Sequence, residues 1–326
     1  MVYDFIIIGA GISGLYTYYL LHKHNSNYKI LILESRIDTG GRIMNDGKSN
    51  LGAKFLHNNT NKFIDQYTEE QNTYYIGKLE GKNKTIQDSM KLEDSGSISN
   101  IMHPKFAYNN EINIEYDFRS LVKKYTNHKN ILFNTPFISY VINKEGFIVI
   151  NKKYISKKLI FALPVNSMKE IKTPFKKYFN NWYQSNIITL SFELNKNDPQ
   201  IKGGFFFEKK FKRTSFFYDN KKYILYVNIF DRNKNFSIDN MVKKICNTFM
   251  LDSYQLKKIN WKTDKNFNGG WSIPKKTLST KIIQIIEQGY KNKIYFTGDY
   301  LGKIENMGSV TSAIKNSENM VKSMYK

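Results

Sequence analysis

The first thirty-four residues constrain the chain most. In VYDFIIIGAGISGLYTYYLLHKHNSNYKILILE an apolar run at 5–8 is followed by Gly9, Gly11 and Gly14 at G-x-G-x-x-G spacing. A helix-like stretch from 12 to about 24 comes next, then a second apolar run at 30–33 that ends in Glu34. The runs read as buried parallel strands joined by a helix. Gly9 permits the tight turn out of the first strand, Gly11 lets a pyrophosphate approach bare backbone, and Gly14 lets helix and strand pack closely. The helix start, with Ile12 and Ser13, presents free N–H groups and a positive dipole end to phosphates. Glu34, twenty residues past Gly14, stands where a carboxylate accepts hydrogen bonds from ribose hydroxyls, with Ser35 beside it. A lone glycine motif is weak. Strand, helix, second strand and acid in this order supply the context the motif requires, so the unit reads as a dinucleotide site. The bland alternative is a glycine-rich turn with no ligand.

The chain has 326 residues, enough for one large domain or two interleaved ones. Its one cysteine, Cys246, excludes an intrachain disulfide and fits a reducing, cytoplasmic compartment. Cys246 sits in MVKKICNTF, a setting for a packed thiol with no visible feature that would lower its pKa. The N-terminal apolar run is too short for a signal peptide and passes straight into the glycine motif. No stretch approaches the ~20 apolar residues of a membrane span. The net charge is +22, which admits a nucleic acid or an anionic surface as partner. Only five of the fifty basic residues are Arg, the usual reader of phosphates and base edges, and the Lys are spread along the chain. Lys, Asn, Ile, Tyr and Phe, all abundant here, share A/T-rich codons. Biased composition is therefore favoured over a selected basic patch.

Farther along, SRIDTGGRIMNDGKSNLGAKFLH carries two glycine groups, Gly40-Gly41-Arg42 and Gly52-Ala53. Residues 58–111 are polar and weakly periodic and read as short helices and loops, with the stretch around Met102 packing near the ligand. The pattern INIEYDFRSLVKKY at 112–125 suits one amphipathic helix. Three strand-like runs follow: ILFN, FISYVINKEGFIVINKKY with a turn at Glu145-Gly146, and KLIFALP. Between 167 and 284, IITLSFEL, GGFFFEKKF, SFFYD and YILYVNIF read as a multi-stranded antiparallel sheet. IDNMVKKICNTFML and KIIQIIEQGY read as helices, the second ending at Gly289. KIYFTGD is a strand leading to a glycine-containing loop, and SVTSAIKNSENMVKSM is a closing helix with Ser309 as N-cap.

Together these motifs resemble the flavin-containing amine oxidase family, which includes monoamine oxidases, polyamine oxidases and flavin-dependent histone demethylases. IIIGAGISGL…LILE is similar to the family's ADP-binding unit. Gly40-Gly41-Arg42 follows Glu34 by six residues, as the family's G-G-R does, which implies FAD rather than NAD with Arg42 reaching its phosphates. The run from Gly52 and Ala53 through Lys54, Phe55 and Leu56 to His57 resembles the G-A-x-W-I-H stretch that lies along the flavin in polyamine oxidases. FNTPFISYVINKEGFIVINKKYISKKLIFALP resembles the family's strand pair and crossover, where backbone near Phe137 and Ile138 would hold adenine. FTGDYLG…NMGSVTSAIKNSENM resembles the C-terminal F-A-G-E motif and its helix. There Gly298 and Asp299 would meet the ribityl–pyrophosphate region, Asp299 replacing the family's Glu. Gly308, Ser309 and Val310 would face the flavin pyrimidine with the helix dipole.

The resemblance implies an α/β fold: a Rossmann-like FAD-binding domain with an interleaved, mostly antiparallel β-sheet plus helices substrate domain, of p-hydroxybenzoate-hydroxylase-like architecture. Residues 1–60, 112–166 and 285–326 would form the first domain, and 61–111 and 167–284 the second. The chain is short for the family, with little between His57 and Ile112.

Three departures bear on chemistry. The family's strand lysine near flavin N5 falls on Ile187, with Lys176 or Lys177 open as alternatives if the alignment slips. Gly270 falls where monoamine oxidases carry the flavin-linked cysteine, which implies noncovalent FAD. Trp271 falls on one wall of the family's aromatic cage, and the other wall falls on Ser309, which has no ring. Hydride transfer to a flavin needs a donor held in a dry pocket rather than a strong acid or base, so no Ser–His–Asp or metal cluster is expected. Of the five histidines, His57 alone sits in a motif and, with Trp271, is the candidate to approach flavin or substrate. His22 and His24 end the first helix facing solvent, and no spacing suits a metal. Trp182 and Trp261 read as structural.

The resemblance thus implies an FAD-dependent oxidoreductase that oxidises an amine by hydride transfer, with O2 as electron acceptor giving H2O2. Two other readings stand beside it. One is a flavoenzyme of the same fold acting on a reduced heterocycle or porphyrinogen-like donor, favoured by Ile187 and Ser309. The other is a low-turnover FAD-binding interaction protein, favoured by the charge. A strongly positive field disfavours polycationic substrates.

Overall fold

The computed structural model describes residues 1–44, 51–53, 55–56, 70–75, 112–116, 118–195, 204–206, 211, 214–219, 222–230, 236–275, 278–302 and 308–325. In chain order these residues form β1 Val2–Ile8, α1 Ile12–His24, β2 Ile30–Leu33, β3 Phe55–Leu56, β4 Glu70–Tyr75, β5 Ile112–Tyr116, α2 Phe118–Tyr125, β6 Ile131–Leu132, β7 Tyr140–Ile142, β8 Ile148–Ile150, β9 Tyr154–Phe161 and α3 Val165–Glu170. The second half continues with β10 Trp182–Gln184, β11 Ile187–Leu194, β12 Gly204–Phe206, β13 Thr214–Asp219, β14 Ile224–Phe230, α4 Ile238–Phe249, β15 Tyr254–Asn260, β16 Ser272–Pro274, α5 Thr280–Glu287, β17 Ile294–Phe296 and α6 Val310–Ser323.

The first sheet runs β6-β2-β1-β9-β8-β7, with β17 also pairing β9. Strands β6, β2, β1, β9 and β17 are parallel to their neighbours, and β7 and β8 join as antiparallel edge strands. A parallel sheet is covered on both faces, so its strands read as unbroken apolar runs. In β1, Phe5 and Ile7 enter a core built with α1, α2 and α6. Ile6 and Ile8 enter a second core on the opposite face, with Val165, Phe179, Trp182, Leu278 and Ile286. Side chains from either side of positions 166 and 285 therefore share that second core.

The other large sheet, β12-β13-β14-β11-β15, is antiparallel throughout. One face packs Leu190, Phe192, Phe216, Leu225 and Val227 against Val242 and Ile245 of α4. That helix starts on Ser237, whose hydroxyl accepts from Asn240 N at 3.2 Å, and ends at Met250 in the left-handed region. On the other face Ile187, Thr189, Ser215 and Asn228 line a cavity shared with the first sheet, and Phe217, Ile224 and Tyr226 form a small cluster of their own. A three-stranded sheet, β3-β5-β4, and the pair β10-β16 complete the strands of the described residues.

The expected single helix over 112–125 is two elements. Residues 112–116 alternate Ile-Asn-Ile-Glu-Tyr, a period of two, and pair with β3 and β4. The helix occupies only the second part, where Leu121, Val122 and Tyr125 are buried on one stripe. Residues 70–75, expected within short helices and loops, form a strand because β5 supplies a backbone ladder. The stretch around Met102 lies outside the described residues. No helix among the described residues is long and apolar enough to cross a membrane.

Candidate functional site

The carboxyl ends of four parallel strands open on one cavity of about 970 Å3. Gly9 follows β1, Glu34 follows β2, Ala162, Leu163 and Pro164 follow β9, and Gly298 and Asp299 follow β17, and all of them line it. Such a crevice is where open α/β sheets hold ligands. Its size lies at the upper end of the roughly 300–1,000 Å3 typical of ligand and cofactor sites.

The floor is built by absent side chains. Strand β1 breaks at Gly9, where φ is +103° and an added Cβ would stand 2.7 Å from Ala162 O. A Cβ at Gly14 would stand 2.0 Å from Gly9 O, so only glycine lets α1 start against the strand. Gly14 sits behind this floor and does not line the cavity. Gly11 is the N-cap of α1 and has no side chain to cap it. Gly41 packs close, so that a Cβ there would lie 3.2 Å from Gly11 Cα. Ile12 and Ser13 open the helix at the cavity wall. Uncapped first-turn N–H groups over a bare floor suit a phosphate.

Glu34 is buried, and its carboxylate is partly committed. Oε2 accepts from Ala10 N at 2.7 Å, and Oε1 accepts from Arg36 N at 2.9 Å and Ser35 Oγ at 3.2 Å. A carboxylate offers about four acceptor sites, and the one Ser35 O–H has a second acceptor in Asn266 Oδ1 at 3.0 Å, so one or two sites remain for ribose hydroxyls. Ser35 and Arg36 also line the cavity. The Arg36 guanidinium is held above its ordinary pKa by its hydrogen bond to Asp38, against a smaller opposing effect of burial.

Arg42, expected to reach phosphates, lines the cavity and closes a clasp. Its Nη2 donates to Asp299 Oδ1 at 2.7 Å and its Nη1 to Gly270 O. Asp299 also accepts from Ser272 N at 3.0 Å and Ser272 Oγ at 2.9 Å. The Asp299 carboxylate is thus held by the chain, and both Gly298 and Asp299 line the cavity. Asp299 O accepts from Gly308 N at 2.7 Å, pinning the glycine loop to the start of α6. There Ser309 accepts from Ser312 N at 3.0 Å, so one first-turn N–H of α6 is satisfied by the cap while Val310 faces the cavity.

At the other end Phe137 and Ile138 line the cavity with Tyr140, whose hydroxyl is pushed up in pKa by burial. Gly52 and Ala53 line it too. Phe55 opens β3, and Lys54 and His57 lie outside the described residues.

The second sheet supplies the opposite wall. Ile187, Gly270 and Trp271 line it, and Gly270 packs against Ser185 and Ile187. A Cβ on Gly270 would lie 2.6 Å from Ser185 Oγ, which holds Trp271 N at 3.1 Å. Lys176 and Lys177 are exposed on a short 3-10 turn and do not line the cavity. Trp182 is fully buried in the first sheet's core. Trp261, expected to be structural only, lines the cavity, and its Nε1 donates to Thr189 Oγ1 at 3.0 Å. Thr189, Ser215, Asn228 and Phe267 also line the wall and carried no motif. Thr189 and Asn228 show in the sequence only as polar residues among apolar ones inside β11 and β14, which marks a face without saying what it meets. His22 and His24 are exposed at the end of α1. No group of three or more His, Cys, Asp or Glu suited to a metal occurs among the described residues.

A family model described as an NAD(P)-binding Rossmann-like domain matches residues 7–64. Over the whole chain the structure is similar to wild-type putrescine oxidase bound to putrescine, at 12% identity, TM-score 0.70 and 100% coverage of both chains. It is also similar to cyclohexylamine oxidase from Brevibacterium oxydans IH-35A, at 10% identity and TM-score 0.74, covering 100% of this chain and 99% of that one. A double mutant of putrescine oxidase, from a structure-based redesign of its cofactor binding, matches at 12% identity and TM-score 0.71, again over 100% of both chains. The fold is shared with these amine oxidases: a Rossmann-like dinucleotide-binding domain with a second domain built on an antiparallel sheet.

Proposed function

We propose that the protein is an FAD-dependent oxidoreductase that holds FAD noncovalently and oxidises an amine, with O2 as the final acceptor and H2O2 as product. The observation that carries this reading is the large cavity at the carboxyl ends of β1, β2, β9 and β17, walled on its other side by the second sheet. The residues present fit the cofactor. The glycine floor and first turn of α1 suit its pyrophosphate, Glu34 a ribose hydroxyl, Phe137 and Ile138 the adenine, and the start of α6 the flavin pyrimidine. FAD would supply hydride acceptance, and the chain supplies position and a mostly apolar wall. No side chain at the described wall is placed as a nucleophile with its base, in keeping with chemistry that needs a positioned neutral donor.

Ile187 supports a second reading. It is 2% exposed and apolar at the position expected for a lysine, and it packs with Trp261 and Phe267. A donor other than an amine, such as a reduced heterocycle, would suit that wall equally.

The test is acid precipitation of the purified protein after incubation with FAD. A yellow supernatant over a colourless pellet, followed by anaerobic bleaching of the native protein with a primary amine, is expected. Protein that takes up no FAD overturns the reading. Protein that binds FAD and is bleached only by heterocycles moves it to the second donor class.

A further inference from the structure

The second sheet places three neutral polar side chains in one transverse row on the cavity face. Ser215 on β13 pairs with Asn228 on β14, and Asn228 pairs with Thr189 on β11. Residues opposed across antiparallel strands share a face. The adjoining positions Leu190, Phe216, Val227 and Ile229 point the other way, into the core under α4. Around the row the cavity face carries Ile187, Trp261 and Trp271, so it is a polar stripe in an apolar wall.

The hydrogen bonds of this row run in one sense. An indole N–H can only donate. Trp261 Nε1 donates to Thr189 Oγ1 at 3.0 Å, and the Thr189 hydroxyl in turn donates to Asn228 Oδ1 at 3.0 Å. The amide oxygen is thereby tied to the sheet, and the two N–H groups of Asn228 Nδ2 remain. Neither Asn228 Nδ2 nor Ser215 Oγ has a hydrogen-bond partner among the described residues, and neither is sealed from the cavity. The row therefore offers donors.

Charge points the same way. The carboxylates among the described lining residues are Glu34, Glu170 and Asp299. Glu34 is held by the β1 and β2 ends, Asp299 by Arg42 and Ser272, and Glu170 belongs to α3 on the first sheet. None stands in the row. A second ammonium placed against it would be desolvated with N–H groups as neighbours, whereas a carbonyl oxygen would satisfy them.

We propose, on top of the FAD reading above, that the Ser215–Asn228–Thr189 row recognises a neutral hydrogen-bond acceptor on the donor molecule, an amide or ketone oxygen, and so selects donors bearing a carbonyl over diamines. Asn228 is the specificity-determining residue, and Thr189 and Trp261 position it.

The test uses FAD-loaded protein whose flavin content is measured first, so that a failure to hold FAD is separated from a failure of this row. Butylamine, putrescine, γ-aminobutyramide and γ-aminobutyrate are titrated anaerobically, with calorimetry and the flavin difference spectrum as readouts. γ-Aminobutyramide is expected to bind about tenfold tighter than butylamine or putrescine, the scale of one satisfied buried donor pair. Asn228→Leu should remove that margin with FAD content unchanged, and Asn228→Asp should turn the preference toward putrescine. Ser215→Ala, a smaller change, should narrow the margin several-fold and stands in where an Asn228 variant does not fold. Equal or tighter binding of putrescine or butylamine, tightest binding of γ-aminobutyrate, no binding of any probe to the FAD-loaded protein, or an unchanged margin in Asn228→Leu would each overturn the proposal.

Discussion

Glu34 and Gly270 show how far one residue can be read from its neighbours in the chain. Spacing alone places Glu34, and it suffices because a strand and a helix of fixed rise bring this residue to the end of β2. What spacing does not show is that two of its acceptor sites are taken by Ala10 N and Arg36 N, with the Ser35 hydroxyl shared between it and Asn266. On the proposed function, Glu34→Ala should weaken FAD binding by about ten- to over a hundredfold, the ~1.5–3 kcal/mol of one hydrogen bond to a charged group. An FAD titration with unchanged affinity would remove Glu34 from the site. In the sequence Gly270 reads only as the absence of a cysteine. The fold adds a steric reason, since any Cβ there meets Ser185 Oγ at 2.6 Å. Gly270→Cys is therefore expected to form no acid-stable flavin adduct and to lower stability by about 1–3 kcal/mol through overpacking. Denaturant melts and a coloured-pellet assay measure both; a yellow pellet would show that Ser185 yields and the thiol reaches the flavin.

At the scale of elements, α6 carries the clearest consequence. Its cap Ser309 satisfies Ser312 N, and its first-turn Val310 faces the cavity where the flavin pyrimidine is proposed to lie. The helix end contributes about 0.3–1 kcal/mol to a nearby negative charge when exposed, and up to about 2 when partly buried. Val310→Pro deletes one N–H at the first helical position, where the ring is tolerated. The bound flavin should become harder to reduce while FAD content and fold persist. A measured reduction potential equal to that of the unaltered protein would assign α6 to packing alone. The elements that local pattern misreads are β4 and β5. A run such as INIEYDFRSLVKKY satisfies a helical stripe in its second half and a strand alternation in its first, and the ladder to β3 and β4 decides between them.

Over the whole molecule, one cavity is shared by both large sheets, so ligand binding and global stability are linked. Free FAD at a hundred times its Kd should stabilise the protein by about 2.7 kcal/mol. Amide protection measured by hydrogen exchange should rise in β11 and β14 as well as in β1 and β2. A gain confined to the first sheet would mean that the second wall is not engaged. The dinucleotide unit, the apolar strands and the capped closing helix were determined by the sequence itself, because each rests on contacts within about thirty residues: a turn, a cap, a periodicity. Tertiary structure alone decided the Arg42–Asp299 clasp, the crowding of any side chain on Gly270 against Ser185, and the row of Ser215, Asn228 and Thr189. Each of these joins residues far apart in the chain, and whether a polar residue in a strand meets water, core or cavity depends on which strand pairs beside it and in what register.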